Sequence, residues 1–257
     1  MKRHFFPSRL NLHRPGVDWL TALTGALLVA HGLAEVLGGP ENIDETGFYG
    51  VFGLSRPGIL TGKGWQLVTY SFLHGSWLHL ILNGIVIYAI GGRVTRILGG
   101  RRSGAIYLGG VLGGGVLHVL LFPAQPLGTG MTPPYPPLVG SSGGMMALLM
   151  AFVSLSPDSR MWPLMISGKN LGRGIMLSAL LLFLLTPGVG VPILAAAGDW
   201  LVRGEGAGNV FFMVSHPCHL GGGLAGLLSV RRLTGRPVSL DDLRRDRKRR
   251  EGGTIGS

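Results

Sequence analysis

The sequence predicts an all-α membrane protein with six transmembrane helices and both termini in the cytoplasm. Only 14% of its 257 residues are charged, whereas a soluble domain has about a quarter. The mean hydropathy is +0.40, and apolar segments recur that approach the roughly 20 residues needed to span hydrocarbon. The 45 glycines agree with this class, because membrane helices pack closely through small residues.

Six apolar segments predict one membrane domain with two cytoplasmic ends. They cover roughly residues 18–37, 71–92, 103–122, 142–156, 174–197 and 215–230. We therefore expect a cytoplasmic N-terminus over 1–17, a six-span domain over 18–230 and a basic cytoplasmic tail over 231–257. A cleaved signal peptide is the alternative for the first segment, which is long for that role and lacks a clear small-residue cleavage site.

The basic residues fall on one side of this six-span arrangement. Of the 23 lysines and arginines, only Arg56, Lys63 and Arg203 lie in the first, third or fifth connection. The positive-inside rule then places both termini in the cytoplasm. The net charge of +11 does not indicate nucleic acid, because no aromatic residues interleave the charges of the tail. The expected surroundings are the lipid bilayer.

The fourth segment is too short to cross the bilayer. A helix from Ser142 to Leu155 would rise about 20 Å, against roughly 30 Å of hydrocarbon. Asp158 and Arg160 hold its C-terminal end at the cytoplasmic face, so Ser142 should lie about 10 Å below the outer surface. Non-helical backbone at that depth needs protein or a water-filled cavity around it. We therefore expect Ser142 at the floor of a wet pocket.

The fifth segment contains an interruption from Thr186 to Pro192. Proline removes a backbone donor and clashes with the preceding turn, so this segment should kink or break. A harmless kink and a mobile gate beside the pocket both fit that pattern.

Polar side chains recur inside the apolar segments, where each costs several kcal/mol unless it is paired or hydrated. They are His74, His79 and Asn83 in the second segment, Ser142 in the fourth and His219 in the sixth. Together they supply a nucleophile, a base and hydrogen-bond donors, which are the groups that acyl transfer needs.

Ser142 opens a predicted helix within Gly140-Ser141-Ser142-Gly143-Gly144. The unpaired N–H groups at a helix N-terminus favour negative charge and can hold an oxyanion. A serine nucleophile also needs a neighbouring base. Taken alone, a small-residue packing face with a helix cap would give the same string.

His219, Gly222 and Gly226 share one face of the sixth segment, at spacings of three and seven residues. A bare glycine face predicts tight packing against the Gly143–Gly144 region. That packing would bring the imidazole of His219 to the Ser142 hydroxyl. The alternative is a histidine bonded to a backbone carbonyl.

His79 and Asn83, four residues apart, share a helix face and are candidate donors to an oxyanion. His74 should point elsewhere on the helix and bond a loop backbone, and His31 and His118 should be packing or interface residues. A metal site is the rival explanation, but the spans carry no carboxylate partner and no histidine pair four residues apart. We expect no metal and no cofactor.

Two absences limit the chemistry further. The only cysteine, Cys218, excludes an intramolecular disulfide. Without an aspartate or glutamate in mid-membrane, a Ser-His dyad remains rather than a triad.

Three motifs in this order resemble the rhomboid family of intramembrane serine proteases. They are H-x4-H-x3-N in the second segment, G-x-S-G opening the fourth and H-x2-G-x3-G in the sixth, and the resemblance covers about 65–230. It implies a six-helix rhomboid core with Ser142 as nucleophile and His219 as general base. It also implies an oxyanion hole from Asn83, His79 and the Ser142 backbone N–H. His74 would be structural, as would the glycines near the site, Gly140, Gly143, Gly222 and Gly226.

Three positions depart from the family pattern. The Trp-Arg pair typical of the first loop is Trp65-Gln66 here, and Thr95 stands where a glutamate is common. Met146 replaces an aromatic that often follows the nucleophile by four residues and supports the catalytic imidazole.

The resemblance implies hydrolysis of peptide bonds in or near transmembrane segments of membrane-protein substrates. We expect an integral, multi-pass protein of the bacterial inner membrane, because no obvious organelle-targeting leader is visible; the sequence carries no prediction of oligomeric state. A non-catalytic rhomboid-like protein that binds membrane clients is one alternative. A small transporter or channel is another, but it would require matching broken helices in two halves.

Overall fold

A computed structural model describes residues 18–37, 47–122, 137–161, 165–186, 192–203 and 214–234. The chain divides into two compact units, one of Met1–Gly104 with Tyr135–Ser141 and one of Ala105–Pro134 with Ser142–Ser257. The predicted N-terminus, most of the basic tail and most of the proline-rich third connection lie outside the described residues.

The first unit is built on two long helices joined by short ones. In chain order it holds α1 (Trp19–Val36), α2 (Phe48–Phe52), α3 (Arg56–Leu60), α4 (Gln66–Thr69), a 3₁₀ turn (Tyr70–Phe72) and α5 (Trp77–Leu98). Side-chain oxygens cap both long helices: Asp18 accepts from the Thr21 N–H, and Ser76 accepts from the His79 N–H. Such caps satisfy N–H groups that have no partner inside a helix.

The second unit contains the helices that carry the predicted nucleophile and base. Its elements are α6 (Gly100–Leu121, which begins in the first unit), α7 (Ser142–Leu155), the short strands β1 (Arg160–Met161) and β2 (Ile166–Ser167), α8 (Gly168–Leu185), α9 (Pro192–Arg203) and α10 (His216–Thr234). The two strands pair antiparallel. The most extensive contact between two elements joins α7 and α10.

The all-α membrane class is confirmed. Within the described residues, α1, α5, α6 and α8 are long and apolar enough to cross a bilayer, and α7 is a shorter apolar helix. The bounds of α7 are those expected from the sequence. Helix α10 has 19 residues, and its last turn carries the charged residues Arg231 and Arg232. Six spans and cytoplasmic termini stay predictions.

The predicted fifth span over 174–197 is wrong in its bounds. The helix begins at Gly168 and ends at Leu185, and α9 starts separately at Pro192. Thr186 leaves the helix with extended backbone, at φ −62° and ψ 123°, because a residue before proline is disfavoured in the α region. Residues 187–191, which hold most of the predicted interruption, lie outside the described residues.

A glutamine anchors the connection between α1 and α5. Gln66 is fully buried; its Nε2 donates to the carbonyls of Gly50 and Val51 at 3.2 Å each. Its Oε1 accepts from the Ser55 N–H at 3.2 Å, and Gly58 lies against the same amide. The neutral amide therefore pairs with both donors and acceptors of the loop backbone, which a cationic side chain could not do.

We predict that Gln66→Leu lowers the stability of the protein in detergent by about 2–5 kcal/mol. The substitution leaves the Ser55 N–H and the Gly50 carbonyl without this partner, and each such loss costs about 1–3 kcal/mol. The Val51 carbonyl keeps the Trp65 Nε1–H, at 3.0 Å. Thermal unfolding followed by circular dichroism measures the effect. Thr61→Ala is the control, because that exposed hydroxyl bonds only carbonyls of its own turn. Equal unfolding temperatures for the two variants would contradict the anchoring role.

Candidate active site

In the first unit, His74 lies outside the helix on which it was expected. Helix α5 begins only at Trp77, and His74 sits in the extended segment before it. The buried imidazole has its Nε2 3.1 Å from the Ser141 Oγ and 3.4 Å from the Ser141 backbone nitrogen. The side chain therefore ties the start of α5 to the segment that leads into the predicted nucleophile.

Tyr49 holds the backbone of the same histidine. Its hydroxyl donates to the His74 carbonyl at 2.7 Å. Burial, and secondly the charge of Glu35, raise the pKa of Tyr49 to about 12. The phenol thus keeps the proton that it donates.

His79 and Asn83 flank Gly140 in the first unit. A Cβ on Gly140 would lie 2.8 Å from the His79 Cε1, 3.1 Å from its Nε2 and 3.8 Å from the Asn83 Nδ2. Gly140 also has φ +120°, which disfavours any side chain. The Nδ2 of Asn83 is buried and has no hydrogen-bond partner within the described residues. A buried unpaired donor is costly, so it is a candidate for a ligand contact.

In the second unit, the glycine face of α10 packs directly on α7. A Cβ on Gly222 would lie 2.9 Å from the Gly143 Cα and would meet its carbonyl oxygen still closer. One turn later, a Cβ on Gly226 would lie 2.8 Å from the Ala147 Cα. This is the packing that the glycine spacing predicts, and only hydrogen fits at either position.

The two contacts also define how α7 and α10 run. Both advance by four residues in the same direction, so the helices are parallel. His219 lies three residues before Gly222, about 4.5 Å towards the N-terminus, and Ser142 lies one residue, about 1.5 Å, before Gly143. Both residues therefore occupy the N-terminal end of the helix pair. Ser142 is 8% exposed and His219 is half-buried.

Helix α6 contributes further glycines to this packing. A Cβ on Gly110 would lie 2.7 Å from the Gly143 oxygen, and one on Gly114 would lie 2.8 Å from the Cys218 oxygen. The backbones around Ser142 and His219 are thus held by close approach rather than by large side chains.

A cavity of about 410 Å³ lies beside His219, in the size range of small-molecule pockets. Its lining includes Met146 of α7, Ile175 and Ala179 of α8, and His216 with His219 of α10. The rings of His216 and His219 meet edge to face, with centroids 6.3 Å apart. Met146, His216 and His219 therefore line the same cavity.

A model of the Rhomboid domain family matches residues 61–235, more than half of the chain. The chain belongs to the rhomboid family. It is an integral, multi-pass membrane protein.

Curated rhomboid relatives resemble parts of the chain. RHOMBOID-like protein 5 of Arabidopsis thaliana is 34% identical over 101 residues, which are 39% of this chain and 30% of that protein. Rhomboid-related protein 3 of Homo sapiens is 30% identical over 95 residues, 37% of this chain and 21% of that protein. Presenilin-associated rhomboid-like protein A, mitochondrial, of Danio rerio is 27% identical over 162 residues, 63% of this chain and 35% of that protein. The chain thus spans about a third or less of these relatives' length.

The residues that depart from the rhomboid pattern make contacts of their own. Gln66 anchors the first loop where an arginine is usual. Thr95 accepts from the Trp19 Nε1–H at 3.0 Å and lies 2.8 Å from the Ser103 hydroxyl, where a glutamate is common. Met146 is buried and packs beside His219 without offering a hydrogen bond.

Several residues near the rhomboid motifs were missed by sequence reasoning. They are Ser141 and Tyr49, which hold His74, and His216, which borders His219. Their partners are distant in sequence, and no spacing pattern links them. His31 is buried, as a packing residue would be, with its ring 4.6 Å from that of Trp77 and 6.1 Å from that of His74.

Metal-binding residues do not cluster in the described part of the rhomboid chain. No three histidine, cysteine or acidic side chains lie close enough there to hold an ion.

We predict that Gly222→Ala disrupts the α7–α10 pair. The added methyl meets the backbone of Gly143, which cannot rotate away, so the helices must separate or shift along their axes. The unfolding temperature in detergent should fall by several degrees, and any reaction of Ser142 should be lost. Gly109→Ala is the matched control, because a Cβ there would have no neighbouring atom within 4 Å among the described residues. A stable Gly222→Ala protein with unchanged Ser142 reactivity would contradict this packing role.

Proposed function

We propose that the protein is an intramembrane serine endopeptidase that cleaves peptide bonds in or near transmembrane segments of membrane-protein substrates. Ser142 is the nucleophile and His219 the general base. The observation that carries the proposal is the contact of Gly222 with Gly143. It sets the turn of α10 that holds His219 beside the turn of α7 that begins with Ser142.

The reaction follows from these two side chains. His219 accepts the proton of the Ser142 hydroxyl while the oxygen attacks the scissile carbonyl carbon. The tetrahedral intermediate collapses, the C–N bond breaks, and His219 returns the proton to the leaving amine. Water, activated by His219, then hydrolyses the acyl-enzyme and restores Ser142. A dyad suffices because the base can be oriented by neighbours other than a carboxylate.

The proposed oxyanion hole comprises the Asn83 amide, the His79 imidazole and the Ser142 backbone N–H. The buried, unpaired Nδ2 of Asn83 supports it, as does the approach of His79 to Gly140, which precedes Ser142 by two residues. A donor kept without a protein partner is preorganised for charge that appears only in the transition state. The unwound approach to Ser142 fits a water-accessible pocket below the outer surface.

A substrate helix hides its carbonyls in its own hydrogen bonds, so it must unwind locally before attack. We expect substrates with glycine, proline or polar residues near the cleaved bond. The proposal includes six spans, with α10 as the sixth, and cytoplasmic termini on the basis of the positive-inside distribution. The relatives are plant and animal proteins, so they lend no support to a bacterial inner membrane, which stays a prediction.

We predict that a fluorophosphonate probe labels the reconstituted protein on Ser142. Labelling should disappear in Ser142→Ala and persist in Ser154→Ala, a matched serine of α7 whose hydroxyl donates to the Met150 carbonyl. Mass spectrometry of the labelled peptide identifies the site. A wild-type protein that neither labels nor cleaves a panel of transmembrane substrates would favour the client-binding alternative.

We predict that Asn83→Ala separates activity from stability. The cleavage rate should fall about 10²–10³-fold, the usual effect of losing one oxyanion donor. The unfolding temperature should change little, because this amide nitrogen has no hydrogen bond to lose within the described residues. Cleavage assays and thermal unfolding measure the two effects. A large fall in unfolding temperature with an unchanged rate would assign Asn83 to the scaffold instead.

A further inference from the structure

The first turn of α10 is capped by Ser215. Its Oγ accepts from the Cys218 N–H at 3.2 Å, and its carbonyl accepts from the His219 N–H at 3.1 Å. The cap therefore bonds directly to the backbone of the residue that we propose as the base. Without such a cap, the first N–H groups of a helix have no internal partner and the turn frays.

A histidine of α6 bonds the same hydroxyl. The Nδ1 of His118 lies 2.8 Å from the Ser215 Oγ, in a side chain that is only 8% exposed. A serine hydroxyl has one proton, and because its oxygen already accepts from Cys218, the geometry lets it donate to an unprotonated Nδ1. The His118 ring also stacks on Phe122, with centroids 4.7 Å apart and planes 23° apart. The imidazole is thus fixed on two sides.

We propose that His118 is a positioning residue for the base, acting through Ser215 on the first turn of α10. The proposal rests on the proposed function, because it takes His219 as the base. His219 lies four residues after Ser215, so the cap sets the direction of its Cα–Cβ bond. Met146 stands where an aromatic is usual, and the cap holds the backbone turn that carries the imidazole. His118 supplies that hold from another helix.

The test separates the cap from the chemistry. His118→Phe keeps a ring over Phe122 and removes the nitrogen that bonds Ser215. His118→Asn puts an amide oxygen in place of Nδ1, and this oxygen can accept the same hydrogen bond. Ser215→Ala removes the shared hydroxyl. Cys218, the only cysteine and buried in the capped turn, reports on opening of that turn through its rate of alkylation by a maleimide. Fluorophosphonate labelling of Ser142 and cleavage of a transmembrane substrate report on catalysis.

His118→Phe and Ser215→Ala should each raise the alkylation rate of Cys218 and lower the labelling rate of Ser142 about tenfold, the equivalent of one lost helix cap. The double variant should be no worse than Ser215→Ala alone, because that substitution already removes the bond to His118 along with the bond to the Cys218 N–H. His118→Asn should recover most of both rates. In the cleavage assay kcat should fall with KM unchanged, and Ser154→Ala should match the wild type.

Wild-type rates of Cys218 alkylation and Ser142 labelling in His118→Phe would overturn the proposal. Independent, additive losses in the double variant would overturn it as well. If His118→Phe fails to fold, His118→Leu, which also removes the ring nitrogen, takes its place in both assays. If the wild type does not label but Cys218 protection still depends on His118, the base assignment and its positioning fail while the cap stands. Failure of the proposed function is thereby distinguished from failure of the cap.

Discussion

The close approach of α10 to α7 is the constraint on which the proposed site depends. A Cβ on Gly222 or Gly226 would meet backbone atoms of α7, and backbone cannot move aside as a side chain can. The approach fixes the register at Gly226, because a shift by one residue would bring Ala225 or Leu227 to that position. Ser142 and His219 are therefore held towards the same end of the helix pair by the close approach of the two backbones.

Around that contact, buried polar groups connect segments that the apolar surfaces alone would leave loosely oriented. Gln66 joins three points of the first loop, His74 joins the start of α5 to Ser141, and His118 joins α6 to the start of α10. Each gives a buried polar group a specific protein partner, because the hydrocarbon of a bilayer offers no water to bond it. The protein thus uses apolar area to stay in the membrane and polar pairs to specify the arrangement of its segments.

The sequence was sufficient for features that depend on local patterns. The bounds of α7 followed from the glycine-serine string at its start and the charged residues after its end, and the packing face of α10 followed from the spacing of its glycines. It was insufficient where a partner is distant in sequence. The cap at Ser215 depends on a histidine 97 residues away, and the burial of Gln66 depends on a loop folding back over it. The span bounds of 174–197 followed apolar composition and joined α8 to α9, whereas the prolines of the interruption indicated the break before Pro187 at which α8 ends.

The parallel course of α7 and α10 has an electrostatic consequence. Each helix has partial positive charge at its N-terminus and partial negative charge at its C-terminus, and side-by-side helices of like direction repel. Antiparallel neighbours would be favoured on this ground, so the glycine contact holds the pair against its own dipoles. In return, the two positive ends lie towards the same end of the helix pair, and their fields add on the side of the proposed oxyanion hole. A low-dielectric surrounding screens this field weakly. At the proposed site, backbone dipoles would in this way contribute to holding an anion within the bilayer.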